Sequence, residues 1–269
     1  MPTPRLLRYH GSMPSWNIHT AHAETVLAAP WQPSMGINDA NAFLFGNYVP
    51  DIYVGYMVPD TTYRMDYLLT HVAEMDVIPI PDADRFWDYY IAARTPKTET
   101  GLSMALGAWA HLVADRYYNG SFRGFCQAHD LHADDDLRQR KQADFDLFGR
   151  SLTISSHVLI TPELIDAAQR FVAYRILPAD VERAVRVASR IVESNAIIPP
   201  RRNHYQVISA DWLYGVFDAC NARVIAWLRT WNARRHAGLG ISAAAIRTDA
   251  GFPPSMPNDP HWQTRHAGA

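Results

Sequence analysis

The sequence predicts an all-α protein, and three observations carry that prediction. Apolar residues recur at spacings of three and four in most segments, whereas the alternation typical of half-buried strands is scarce. Prolines fall in the gaps between these segments or at their first positions. With 269 residues, 48% of them hydrophobic and 19% charged, the chain is long enough to enclose a large core.

The predicted helices follow one another with short connections. They cover residues 18–29, 38–48, 61–74, 83–93, 100–118, 136–151, 162–174, 178–196 and 205–233. Pro30 closes the first helix and Pro50 ends the second, because proline cannot donate the next backbone hydrogen bond. Thr161-Pro162 and Pro178 are typical helix starts, since proline near the first position is followed in each case by an acidic residue in the first turn.

One helical domain is expected over residues 13–236, with an N-terminal extension at 1–12 and a C-terminal tail at 237–269. The tail combines several glycines and prolines with no helical periodicity, so we expect it to be loosely ordered. The last predicted helix, 205–233, carries an apolar stripe with arginines toward its C-terminal end. That pattern favours a core helix over one that lies on a membrane surface.

Charge and cysteine content narrow the classes of function. The formal net charge of −2, with 25 lysines and arginines spread along the chain, gives no signal for a nucleic-acid-binding track. Cys126 and Cys220 cannot build a disulfide framework and lack a paired zinc-ligand spacing. No segment reaches the roughly 20 apolar residues that cross a bilayer. We therefore expect a cytoplasmic protein, while the oligomeric state is left open.

The segment from Leu106 to Asp115 contains a candidate metal-binding pair. His111 and Asp115 are four positions apart, so a helix places both on one face, within reach of a single ion. Their apolar surroundings would bury them, and a buried charge requires a partner. A metal ion supplies that partner, and a hydrogen bond between the two side chains is the alternative.

Three further segments offer ligands of the types that zinc accepts. His19 lies in the first predicted helix, Asp51 follows Pro50 in a stiffened turn, and His71 lies late in the third predicted helix. Nitrogen and oxygen ligands together form the mixed shell of many zinc sites. Asp51 is also the candidate catalytic residue, because a carboxylate at the ion can orient or deprotonate a water molecule. Tyr56 and Tyr63, between two of the ligands, are predicted to bind substrate as walls of a cleft.

The order His, Gly-Asn-x-x-x-Asp, Thr-His and Ala-His-x-x-x-Asp resembles the zinc-dependent phospholipase C family, whose distant relatives include the S1/P1 type single-strand nucleases. The matching stretch covers about residues 13–119. The resemblance implies an all-α phospholipase C/P1 nuclease-like bundle that hydrolyses phosphodiesters with zinc. It also implies that Asp51, His71, His111 and Asp115 hold a first zinc ion. His19, together with the N-terminal amine, would hold a further ion that Asp115 bridges.

Two features depart from the family pattern. Met1 lies 18 positions before His19, which departs from the family pattern, whereas a start at Met13 with removal of that methionine would leave Pro14 five positions away. Residues 1–12 would then be a mis-assigned start or a tail, and an intact Met1 terminus in the native protein would exclude this hypothesis. The stretch 116–123 contains no histidine, and His157 is followed four residues later by Thr161 rather than a carboxylate. One zinc ion is therefore expected, and two or three only with other ligands.

Three functions are compatible with this pattern. The first is a metal-dependent phosphodiester hydrolase acting on a phospholipid headgroup or a small phosphoester. The second is a single-strand nuclease, which needs a stacking platform and a basic track that the net charge does not suggest. The third is a non-catalytic zinc-binding structural or binding protein, which the missing downstream ligands favour.

Overall fold

The computed structural model of the protein describes residues 15–132, 134–197 and 204–252. Over these residues the chain is helical and contains no strand, which confirms the predicted all-α class. The helices are α1 (Trp16–Ala28), α2 (Ala40–Gly46), α3 (Tyr67–Thr70), α4 (Ala83–Phe86), α5 (Glu99–Ala128), α6 (Asp135–Ser151), α7 (Pro162–Gln169), α8 (Pro178–Ile197), α9 (Ala210–His236) and α10 (Ala243–Asp249). The predicted extension at 1–12 and the hypothetical start at Met13 lie outside the described residues.

Helix α5 is the central element, and most of its residues are buried. It packs against α1, α2, α4, α7 and α9. Its contact with α2 is a backbone contact, because a Cβ atom on Gly107 would lie 2.1 Å from the carbonyl oxygen of Phe43 and one on Gly46 would lie 2.2 Å from that of Met104. These two glycines therefore set how closely the end of α2 approaches the middle of α5.

Buried tryptophans join α5 to its neighbours on the side of α9. Trp87, Trp109, Trp227 and Trp231 are each no more than 1% exposed. Trp87 meets the other three rings edge to face at centroid distances of 5.0, 5.5 and 5.6 Å, a favourable aromatic geometry. Trp87 begins a π-helical segment, Trp87–Ala92, that continues α4. The α9 face is therefore a core face, as the sequence predicted for residues 205–233.

The two helix starts singled out in the sequence are confirmed. The Thr161 side chain accepts a hydrogen bond from the backbone N–H of Leu164, and Pro162 occupies the first turn of α7. Helix α8 begins at Pro178, with Asp180 in its first turn. Both starts use local chemistry, which explains why the sequence alone was sufficient to locate them.

The predicted helix at 61–74 is wrong for most of its length, since only Tyr67–Thr70 is helical. Asp60 and Val72 have φ values of 54° and 51°, which a right-handed helix cannot contain. The preceding loop is held by Asp180, which accepts hydrogen bonds from the Tyr53 hydroxyl and the Thr62 backbone N–H, each at 3.0 Å. A contact with α8 therefore overrides the local periodicity.

The segment that follows α3 is fixed to one side of α5. Arg116 donates to the Pro81 carbonyl, Asn119 to the Pro79 carbonyl at 2.9 Å and Arg123 to the Ile78 carbonyl. The three donors lie at positions i, i+3 and i+7 of α5, which share one face of a helix. We call this set of hydrogen bonds the α5 clamp.

The predicted loosely ordered tail contains a helix, so that prediction is wrong for residues 243–249. Ser242 caps α10 by accepting from the backbone N–H of Ala245, and Ile246 is fully buried. Seven residues are too few for a clear periodicity, and the burial comes from contact with α9. The rest of the tail, from residue 253 onward, lies outside the described residues. Within the part of the chain described, no helix has the length and apolar character required to span a membrane.

Candidate metal centre

The five predicted metal ligands meet in one buried cluster. His19 comes from α1, Asp51 ends the 3-10 turn after α2, His71 is the residue that ends α3, and His111 and Asp115 lie one turn apart on α5. None of the five side chains is more than 1% exposed. The fold therefore brings together residues that are up to 96 positions apart in the sequence.

Four of these side chains surround one point. His71 Nε2 lies 3.1 Å from His111 Nε2, and Asp115 Oδ2 lies 3.3 and 3.2 Å from these two nitrogen atoms. Asp51 Oδ1 is 3.5 Å from His71 Nε2, and Asp51 Oδ2 is 4.0 Å from His111 Nε2. Ligands of a tetrahedral zinc ion with bonds of about 2.05 Å are about 3.3 Å apart. The five separations given for Asp51, His71, His111 and Asp115 are thus compatible with ligands of a single zinc ion.

His19 lies on the other side of Asp115. Its Nε2 atom is 3.3 Å from Asp115 Oδ1, and its ring stacks on that of His111 with a centroid distance of 3.9 Å. His19, His111 and Asp115 form a second group that could hold an ion, but this group shares His111 with the first. One imidazole nitrogen binds one ion. If His111 binds the first ion, the ligands left for a second ion in this group are His19 and Asp115.

Hydrogen bonds fix which nitrogen atom of each histidine faces the cluster. His111 Nδ1 lies 2.8 Å from the Asn47 carbonyl, which only accepts, so this nitrogen donates and Nε2 is the atom that faces the cluster. Thr70 Oγ1 donates to the Tyr67 carbonyl and lies 2.9 Å from His71 Nδ1, so it accepts from that ring. Both rings are thereby held in the tautomer that binds a metal through Nε2.

Asp51 is held by two donors. Trp16 Nε1 donates to Asp51 Oδ2 at 3.0 Å, and the Tyr56 hydroxyl donates to Asp51 Oδ1 at 2.6 Å. Hydrogen bonds of this kind orient a ligating carboxylate and limit its rotation. Trp16 was not singled out from the sequence, although it lies three positions before His19 on the same face of α1.

Unsatisfied polar atoms mark the centre. Neither oxygen of Asp115 and neither ring nitrogen of His19 makes a hydrogen bond with the described part of the chain. Burial without such a bond costs about 1–3 kcal/mol per group, and more for a charged one. The close contacts of Asp115 with three imidazole rings are therefore poorly aligned as hydrogen bonds, whereas they suit a shared cation.

The electrostatics of the cluster without an ion are strongly coupled. Burial disfavours a charged His111, but Asp115 and Asp51 overcome this effect and raise the pKa of His111 to about 9. Burial likewise opposes ionisation of Asp115, yet His111 holds the pKa of Asp115 well below its usual range. The pKa of His19 is lowered by burial and by the charge of His111. An ion that binds here takes the place of the proton on His111.

The two predicted cleft residues are placed differently. Tyr56 is half-buried, and its hydroxyl contacts the ligand Asp51. Tyr63 is half-buried too, but its ring stacks on Tyr53 at a centroid distance of 4.0 Å and its hydroxyl donates to the Arg175 carbonyl. The structure thus brings Tyr56 to the centre and directs Tyr63 toward the connection between α7 and α8. Substrate contact by either residue stays a prediction.

His22 lies one turn after His19, and a histidine at such a helix position is more often a surface residue. Its side chain is nevertheless only 5% exposed, and its Nδ1 atom donates to Asn221 Oδ1 at 2.7 Å. Its ring also stacks on Phe217 at a centroid distance of 4.3 Å. The partners on α9 are about 200 residues further along the chain, which is why no local pattern predicted the burial.

Other candidate ligands stay away from the cluster. His129, His132, His157 and His204 are exposed, and Asp134 caps α6 by accepting from the backbone N–H of Leu137. Among the residues described, the groups suited to a metal ion are the two that share His111. The structure thus offers His71, His111 and the two aspartates as one candidate ligand set, and His19 with Asp115 as an incomplete pair.

Comparisons with known proteins do not assign this chain to a family. No family model matches the chain, and no curated protein and no solved structure matches it either. The resemblance to the zinc-dependent phospholipase C family thus stays a prediction from the sequence, and the function must be argued from the buried histidines and aspartates themselves.

Proposed function

We propose that this protein is a metal-dependent phosphodiester hydrolase, with one zinc ion bound by Asp51, His71, His111 and Asp115. The observation that carries the proposal is the convergence of these four side chains: His71 and His111 lie 3.1 Å from each other and 3.2 to 4.0 Å from both aspartates, and the Asp115 oxygens make no hydrogen bond with the described part of the chain. When bound, zinc lowers the pKa of a coordinated water to about 7 and neutralises charge on a phosphoryl oxygen.

Within this proposal the chain's own residues divide the work. His71, His111 and Asp115 anchor the ion, since their orientations are fixed by the backbone of α2, by Thr70 and by helix α5. Asp51 orients the attacking water and accepts its proton. The Tyr56 hydroxyl holds Asp51 in place through the 2.6 Å hydrogen bond, and thus acts as a positioning residue. The substrate class is a phosphoester, with a phospholipid headgroup or a small soluble ester as candidates.

One observation favours a second candidate, a zinc-binding structural or binding protein without turnover. The five candidate ligands are all buried, with exposed fractions of 0 or 1%. Structural zinc sites are closed in this way, whereas catalytic sites keep one position open to water or substrate. A nuclease has less support, because the net charge of −2 gives no excess of cations for a strand.

Zinc content and hydrolysis measured on the same preparations test the proposal. The full-length protein and the His111→Ala and Asp51→Asn variants are analysed for bound zinc and assayed on bis(p-nitrophenyl) phosphate, p-nitrophenyl phosphorylcholine and single-stranded DNA. Exposed His157 supplies a matched control as His157→Ala. We expect about one zinc per chain and hydrolysis of at least one small diester, both lost in His111→Ala. Asp51→Asn should reduce hydrolysis by about a hundredfold or more.

The other outcomes separate the candidates. Bound zinc with no hydrolysis of any ester contradicts the hydrolase and supports the structural protein. Cleavage confined to single-stranded DNA supports the nuclease. Absence of bound metal, together with no heat of binding on zinc titration, contradicts the metal centre and every function built on it.

A further inference from the structure

A lysine side chain is buried next to the candidate centre. Lys141 of α6 is 1% exposed, and its Nζ atom lies 4.9 Å from the ring centroid of Phe122 and 5.1 Å from that of Phe145. The faces of both rings attract the ammonium group. Nζ also donates to Asn119 Oδ1 at 3.4 Å. A cation with so little access to water is costly to keep, so its position requires an explanation.

A second hydrogen bond of Asn119 orients its side-chain oxygen toward this lysine. Its Nδ2 atom donates to the Pro79 carbonyl at 2.9 Å, as part of the α5 clamp, which turns Oδ1 toward Nζ of Lys141. Asn119 lies four positions after Asp115 on the same face of α5, and four residues of a helix rise by about 6 Å. The hydrogen-bond partner of the ammonium group therefore lies one helical turn from Asp115.

The lysine and Asp115 interact through the protein interior. Burial lowers the pKa of Lys141 to about 7, and Asp115 is the strongest of the groups that oppose this shift. Other groups act on the same side chain, with Cys126 favouring the charged form and Arg138 disfavouring it. Because both Lys141 and Asp115 are buried, counterions in solution screen their interaction little.

The following inference rests on the zinc site proposed above. We propose that the Lys141 ammonium group adds a fixed positive charge to that of the zinc ion, and that its repulsion limits the centre to one divalent ion. An ammonium group bonded to Asn119, one turn after Asp115, repels further positive charge at the carboxylate. The ligands fit this role, because among the described residues a second ion would find His19, which lies outside the four-residue set, and Asp115, which it would share with the first ion. The repulsion also weakens binding of the first ion, which makes the proposal measurable.

The test is the dissociation constant of zinc for the full chain, measured with a competing chelator at about pH 6, one unit below the pKa of about 7 to which burial lowers Lys141. In Lys141→Met an unbranched apolar side chain keeps the contacts with the two phenylalanine rings. We expect this variant to bind zinc about tenfold or more tightly than the unmodified protein. Lys141→Arg, which keeps the charge, should change the constant by less than about threefold. The exposed Lys97, as Lys97→Met, controls for loss of a distant charge and should also have little effect.

An unchanged or weaker zinc affinity in Lys141→Met overturns the proposal, because a lysine with a purely structural role would give that result. If the methionine variant does not fold, as judged by circular dichroism, Lys141→Gln takes its place, since glutamine can keep a hydrogen bond to Asn119. The same increase in affinity is expected there. Zinc binding to the unmodified protein, with no gain in either neutral variant, overturns only this inference, whereas no zinc binding to any of them overturns the proposed centre.

Discussion

Replacement of Gly107 by alanine tests whether the backbone contact between α2 and α5 sets the geometry of the metal centre. Gly107 lies one turn before His111, and the segment that it touches leads directly to Asn47, whose carbonyl accepts from His111. The new Cβ atom would lie 2.1 Å from the Phe43 carbonyl oxygen, whereas ordinary contact begins at 3.4 Å. Because the obstacle is backbone, α2 must move away from α5 by about 1.3 Å.

The expected cost follows from that movement. A separation larger by about 1 Å lengthens the 2.8 Å contact between His111 Nδ1 and the Asn47 carbonyl beyond hydrogen-bonding distance. Loss of this bond and overpacking together cost about 2–5 kcal/mol, and the higher helix propensity of alanine returns about 1 kcal/mol. We expect Gly107→Ala to lower the free energy of unfolding by about 3 kcal/mol. Zinc affinity should fall by about tenfold or more, since a support of a metal ligand is lost.

Urea unfolding of the metal-free protein, followed by circular dichroism, and zinc titration measure the two effects. Gly215→Ala is the matched control, because Gly215 also lies within a helix but a Cβ atom there meets nothing within 4 Å. It should stabilise the protein by up to about 1 kcal/mol and leave zinc binding unchanged. If Gly107→Ala is as stable as Gly215→Ala, the close approach of α2 and α5 does not constrain the centre.

Three further predictions address single side chains. Burial lowers the pKa of His22 to about 3, so the unfolded chain binds a proton between about pH 6.5 and 3 that the folded chain does not, and stability falls as the pH falls through this range. As the pH falls from about 6.5 to 5, the free energy of unfolding measured in urea should fall by about 2 kcal/mol more for the unmodified protein than for His22→Gln. Tyr56→Phe removes a donor to Asp51 and should weaken zinc binding by about tenfold in a chelator competition, while Tyr63→Phe leaves it unchanged. Asp144 accepts three backbone N–H groups that precede α9, so Asp144→Ala should lower the free energy of unfolding by about 3 kcal/mol, and a loss below about 1 kcal/mol would contradict this role.

Part of the candidate ligand set was predictable because three of its members have a local signal. His111 and Asp115 share a face of one helix by their spacing alone, and Asp51 follows a proline that stiffens its turn. For His19 and His71 the prediction depended on the resemblance to the zinc-dependent phospholipase C family, which stays a prediction. The convergence of the five side chains needed only that the helices pack, which the apolar periodicity already required.

Long-range contacts explain what the sequence did not reveal. The loop before α3 follows Asp180 rather than its own periodicity, and α10 is stabilised by packing on α9. The burial of Lys141 depends on Asn119 and on the aromatic rings of two different helices. A lysine within a charged segment of α6 is normally a surface residue, so nothing in its neighbours along the chain marks it as buried.

The α5 clamp should control how fast the candidate centre releases a metal ion. The segment after His71 has no sheet to stiffen it, and three side chains from the second half of α5 hold its carbonyl groups. Fraying of that half of the helix would therefore release the segment that follows the candidate ligand His71, while the aromatic core around Trp109 would stay packed. The rate at which the centre releases zinc to a chelator should thus follow local opening of α5, and it should match the slow amide hydrogen exchange of residues 116–123 rather than global unfolding.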